Sequence, residues 1–130
     1  MTVPLATSRY QNSPLILESG FVPTRITLGA PRWKLAYSLG GQIKELAPTR
    51  AVFAIEAEDE FDAAYRRQLE ECGADVIAGE IRRVSQDHAG RGLVLLCFED
   101  IGKLGEMSCH RRGFARWWEE ITGQAVPELL

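Results

Sequence analysis

Leu93-Val94-Leu95-Leu96-Cys97-Phe98, six apolar residues in a row followed by Glu99-Asp100, is the stretch that decides the fold. A strand with one wet face alternates apolar and polar side chains. A strand covered on both faces reads as an unbroken apolar run, and such strands belong mainly to parallel sheets. The run is therefore expected as a buried strand, with Glu99 as the polar group emerging at its carboxyl end. Upstream, Ala51-Val52-Phe53-Ala54-Ile55 has the same unbroken character and is expected to be a second buried, parallel-type strand. Thr24-Arg25-Ile26-Thr27-Leu28 alternates, is rich in β-branched residues and stops at Gly29-Ala30-Pro31, which predicts a further strand ending in a loop.

Helical periodicity fills the intervals between these runs. Residues 59–71 place Phe61, Tyr65 and Leu69 at steps of four with charges between them, and Cys72-Gly73 supplies a stop. Residues 74–84 put Ile77, Ile81 and Val84 on one side and lead into the turn-rich Ser85-Gln86-Asp87-His88-Ala89-Gly90. Gly40-Gly41 and Pro48 bracket room for one short helical turn. Ser108 can cap a helix over residues 109–121, with Phe114, Trp117 or Trp118, and Ile121 on its apolar stripe and Thr122-Gly123 at its end. Residues 1–20 mix polar and turn-forming types and are expected to be an irregular lead-in. No repeat or linker divides the chain, so residues 1–130 are expected to form a single α/β domain, a three-layer sandwich with a mainly parallel sheet.

Composition narrows the function classes. At 130 residues the chain should bury roughly two-thirds of the surface its unfolded form exposes. The net charge of -3, with acids and bases interspersed, supplies no global field for a phosphate backbone, so a nucleic-acid partner would need a local patch. No apolar run approaches the roughly 18 residues of a membrane span. Three cysteines, an odd number, argue against a disulfide framework, and the first residues lack a secretory pattern. A cytoplasmic location is expected.

In parallel α/β sheets ligands bind beyond the carboxyl ends of the strands, which points to the loops at residues 29–33 and 99–110. Cys109, His110 and Arg111 fall in the expected first turn of the last helix, where unpaired N–H groups and the helix dipole favour negative charge. A thiol there is pushed towards thiolate. The same geometry suits a phosphate, with Arg111 or Arg112 making a bidentate contact. Glu99 and His110 would be the acid/base pair if chemistry occurs, making Glu99, Cys109 and His110 the catalytic candidates. Arg32 and Trp33 offer a cation beside a stacking surface. Tyr65 reads mainly as a core residue whose hydroxyl could reach a polar site. Together with Arg111 and Arg112 these form the ligand-binding set.

The same residues admit other readings. Cys109 could pack as a small apolar residue while the arginines pair with Glu106, Glu119 or Glu120. A phosphatase-like loop needs an arginine six positions after the cysteine, where this chain has Ala115. Cys97, Glu99, Cys109 and His110 are suitable zinc ligand types, but their spacing matches no paired Cys-x-x-Cys signature, so neither a metal nor a cofactor is expected.

The chain resembles the domain-of-unknown-function 488 family of bacterial, archaeal and phage proteins. The resemblance rests on Leu28-Gly29-Ala30-Pro31-Arg32-Trp33, Glu45-Leu46-Ala47-Pro48, Leu95-Leu96-Cys97-Phe98-Glu99, and Cys109-His110-Arg111-Arg112 with Trp117 and Val126-Pro127-Glu128-Leu129. It implies an α/β domain that gathers these motifs into one pocket, and it brings no established activity. The expectation is a pocket for a small anionic, nucleotide-like ligand, serving a nucleotide- or nucleic-acid-processing enzyme. The alternative is a non-catalytic interaction or accessory module in which the Cys-His-Arg cluster is structural, and a third reading is a reactive-thiol enzyme.

Overall fold

The computed structural model describes residues 2–98 and 110–129. In chain order it contains β1 (Leu5–Arg9), α1 (Ser13–Ser19), β2 (Val22–Arg25), β3 (Gly41–Gln42), a 3-10 turn (Lys44–Leu46), α2 (Arg50–Phe53), α3 (Glu58–Cys72), α4 (Ala74–Gln86), β4 (Leu93–Cys97) and α5 (His110–Thr122). The four strands form one all-parallel sheet in the order β1-β4-β2-β3. β4, the unbroken apolar run, lies between two neighbours, and all five of its residues are buried.

Register divides the strands between two cores. Leu5, Leu93 and Val22 align across the sheet on one face, and Ala6, Val94 and Pro23 on the other. The first face packs against α3, α4 and α5 through Tyr65, Leu69, Ile81, Val84, Phe114 and Trp118. The second packs against Ile16 of α1 and against Leu35, Tyr37 and Leu39 of an irregular segment. This is an α/β fold built on an all-parallel sheet.

Local chemistry explains the element boundaries. Glu58, Asp59 and Glu60 occupy the first turn of α3, where the helix dipole favours them. Gly20 ends α1 in the left-handed region at φ 70°, which costs glycine nothing. A Cβ on Gly41 would lie 2.7 Å from a Val84 methyl, so a residue without a side chain lets α4 approach β3. Beyond α5, Val126 to Leu129 return along the free edge of β1: Thr7 N–H donates to Pro127 O at 2.9 Å, and Leu129 N–H donates to Thr7 O at 2.8 Å. Thr7 and Glu128 form a parallel bridge there. Among the described residues no helix is long and apolar enough to cross a membrane.

Three expectations require correction. Ala51-Val52-Phe53-Ala54-Ile55 is not a strand: residues 50–53 form α2, and Phe53 is 62% exposed. Thr49, placed directly after Pro48, accepts a hydrogen bond from Val52 N–H and caps a helix. The irregular lead-in is instead β1 and α1, and β1 is a strand whose first four residues are buried. The strand expected at residues 24–28 starts two residues earlier, at Val22, because the Gly20 cap ends α1 just before it. The helix after β4 is described from His110, while Ser108, its expected cap, lies outside the described residues.

Candidate functional site

Parallel strands bring their carboxyl ends to one edge, and here the connections leaving that edge diverge. The chain leaving β1 enters α1 and the chain leaving β2 enters the 35–39 segment, both on the second face. The helix that follows β4, α5, packs on the first face. The carboxyl end of β4 is thus flanked on both sides by strands whose connections go the other way. This is the arrangement that opens a crevice at a topological switch point.

Tyr10, Thr27 and Phe98 stand at this edge, just beyond β1, β2 and β4. Tyr10 is fully buried, and its hydroxyl lies 2.8 Å from Thr27 Oγ1. Thr27 donates its own proton to Gly29 O at 2.6 Å, so Tyr10 is the donor between the two. Arg25 folds over the same loop, donating to Thr27 O and Leu28 O. Phe98 packs on Tyr10 with ring centroids 4.8 Å apart, and Trp33 meets it edge-on at 5.9 Å. Trp33 remains 44% exposed.

Burial pushes the Tyr37 hydroxyl up to about 12, with Tyr10 nearby adding to the shift, and burial also raises Tyr10. Tyr37 donates to Tyr10 O at 2.7 Å. A phenol whose folded value lies above its unfolded value of about 10 stabilises the fold fully below pH 10, and that contribution disappears as pH rises towards 12. Alkaline unfolding should therefore steepen over pH 10–12, and Tyr37→Phe should flatten that part of the profile. Tyrosinate absorbance recorded alongside circular dichroism checks both; phenol titration complete by pH 10 in the folded protein would contradict the assignment.

His110, the first residue of α5, is 5% exposed. Its Nε2 lies 2.8 Å from Ile26 O, and since a carbonyl only accepts, Nε2 carries a proton. Tyr65 holds the ring edge-on at 5.5 Å and anchors itself by donating to Leu46 O at 2.5 Å. His110 borders a cavity of ≈ 390 Å³ whose other described walls are Thr27, Leu28, Gly29, Pro48, Phe53 and Phe98.

The arginines of the same helix turn go elsewhere. Arg111 is fully buried and forms a bidentate ion pair with Glu128, Nε to Oε1 at 3.0 Å and Nη2 to Oε2 at 2.8 Å. Its Nη1 donates to Cys97 Sγ at 2.6 Å. Arg112 donates to Thr7 Oγ1 and Val126 O. Thr7 in turn donates to Glu128 Oε1 at 2.7 Å. These groups fasten the 126–129 segment to β1, β4 and α5.

Of the residues singled out from sequence, His110 and Trp33 come to the carboxyl edge, and Arg32 is exposed next to Trp33. Tyr65 supports His110 from within the core. Arg111 and Arg112 serve the C-terminal segment, through Glu128 and Val126 and not through Glu119 or Glu120, while Glu106 lies outside the described residues. Glu99 and Cys109 lie outside the described residues. Among the described residues no three His, Cys, Asp or Glu side chains cluster as metal ligands. Phe53, Pro48 and Phe98 were missed as lining residues; the signals were a proline directly before a capping threonine, and an aromatic at the exit of a fully buried strand. No known protein family, curated protein or solved structure matches the chain.

Proposed function

We propose that the protein binds a small, ring-bearing anion of nucleotide-like chemistry at the carboxyl edge of its sheet. The observation that carries this reading is the ≈ 390 Å³ cavity at the switch point beside β4, walled by Phe98, Phe53 and Leu28 and bordered by the His110 imidazole. Its volume falls within the range of about 300–1,000 Å³ for small-molecule sites, which pair apolar walls with a few fixed polar groups. A planar ring suits those walls, and the exposed Trp33 beside Phe98 offers a second stacking surface. Arg32 and Lys34, both exposed, flank Trp33 and supply positive charge for phosphate at the rim. A single-stranded nucleic acid would use the same stacking surface and cations. Assignment to the domain-of-unknown-function 488 family belongs to the same proposal and rests on the sequence motifs, and a cytoplasmic location rests on the cysteine usage.

Thermal melts with nucleosides, nucleotides and inorganic phosphate test the reading. A ligand at 100 times its Kd adds about 2.7 kcal/mol, so a nucleotide should raise Tm by several degrees, and Trp33→Ala and Arg32→Ala should each weaken that response without lowering the melt of the free protein. The absence of any nucleotide shift, or an equal shift in both variants, would remove the proposal. The interaction-module reading draws on a different observation, the engagement of Arg111 and Arg112 in fastening the C-terminal segment.

A further inference from the structure

The second face of the sheet is thinly covered. α1 has seven residues and its companion segment is irregular, so the Pro23 side of β2 stays only half-buried. A cavity of ≈ 370 Å³ opens there, at the amino end of the strands and away from the crevice beside β4. Leu17, Phe21, Pro23 and Leu39 provide apolar walls, while His88 and Arg91 stand on its border; no carboxylate lines it among the described residues.

Both basic side chains are held by backbone carbonyls. His88 Nε2 lies 2.8 Å from Gly40 O, and a Cβ on Gly40 would come within 2.9 Å of that nitrogen, so the glycine lets the ring seat. Arg91 donates Nε to Gly20 O at 2.8 Å, and no hydrogen bond among the described residues engages its Nη groups. A guanidinium fixed at one nitrogen and open at the others is prepared for an oxyanion. We infer that this cavity binds a small amphipathic anion, a medium-chain aliphatic carboxylate whose chain covers Leu17, Phe21, Pro23 and Leu39 and whose head group meets Arg91 and His88. The apolar walls alone would accept a neutral chain; the Arg91 guanidinium, with no carboxylate lining the cavity among the described residues, selects the acid.

Octanoate is the probe, titrated calorimetrically and by amide chemical shifts into the whole chain, with octanol as its uncharged counterpart. Octanoate should saturate one site, bind about tenfold more tightly than octanol, and perturb amides around Leu17, Leu39 and Arg91. Arg91→Met should weaken octanoate about tenfold and leave octanol unchanged. Leu17→Glu, at an exposed position, should weaken both by removing an apolar wall, and octanoate more than octanol because it places a like charge there, while Trp33→Ala should leave octanoate binding intact. Absence of saturable binding, equal affinity for octanol, perturbations centred on Trp33 and Phe98, or undiminished affinity in both Arg91→Met and Leu17→Glu would each overturn the inference. None of these outcomes depends on a nucleotide binding at the opposite edge.

Discussion

Arg111→Ala should lower the unfolding free energy by about 3–5 kcal/mol, because removing one partner of a buried ion pair leaves the other charge uncompensated. The Arg111 and Glu128 side chains are 1% and 8% exposed, so solvent screens little of their interaction. The substitution also removes a donor to Cys97 Sγ and, among the described residues, leaves Thr7 as the side chain that donates to the Glu128 carboxylate. Arg111→Lys should fall between the two, since lysine keeps the charge but not the planar fork that matches both carboxylate oxygens. Arg111→Met combined with Glu128→Leu should recover much of the loss, as apolar replacement of a whole buried pair often does. Urea unfolding of the four proteins measures this directly. A near-native melt for Arg111→Ala together with a lost nucleotide response would instead return Arg111 to the ligand site.

The parallel sheet was legible because β4 is buried on both faces and carries no polar residue to blur the pattern. The helices α3 and α4 were legible for a related reason: Tyr65, Leu69, Ile77 and Ile81 repeat at helical spacing and are the residues that pack on the sheet. β1 was not legible. Its Thr7 and Ser8 are fully buried, yet both are polar, because their hydroxyls donate to Glu128 and to Leu129 O on a segment more than a hundred residues away. Pattern reading counts such residues as solvent-facing. The Ala51-Val52-Phe53-Ala54-Ile55 run misled in the opposite sense: a short apolar run can be strand or helix, and here its aromatic faces the crevice beside β4 instead of a core.

Part of the site was legible from the general rule that ligands meet a parallel sheet beyond its carboxyl ends, which picked out the loop carrying Trp33 and the helix start carrying His110. What sequence cannot supply is the partner of a charge. Arg111 and Arg112 follow His110 directly, and their spacing suits a phosphate as well as it suits Glu128 and the Val126 carbonyl. The choice between these depends on where residues 126–129 return, and that is set by the free edge of β1. Successive helical positions point about 100° apart, so neighbours in the motif serve different surfaces: His110 borders the cavity while Arg111 faces Cys97.

Phe114→Ala should cost about 3–5 kcal/mol, the usual range for emptying a fully buried aromatic position, and on the order of 10–20 °C in Tm for a domain of this size. Phe114 is completely buried and sits at 5.5 Å from Trp118 and 6.4 Å from Trp117, so its ring is the centre of the aromatic group that seats α5 on the sheet. The helix is held at its start by a different means, the Arg111–Glu128 ion pair and the His110 Nε2 bond to Ile26 O. The informative comparison is with Phe98→Ala. Phe98 is 36% exposed and lines the cavity, so truncating it should cost far less stability while removing a wall of the proposed ligand site. Phe114→Ala should accordingly lower Tm and, in the fraction still folded, retain the nucleotide response; Phe98→Ala should melt close to the parent protein and lose that response. The reverse pattern, a tolerated Phe114→Ala and a severely destabilising Phe98→Ala, would mean that the carboxyl-edge aromatics are core and that the seat of α5 lies elsewhere.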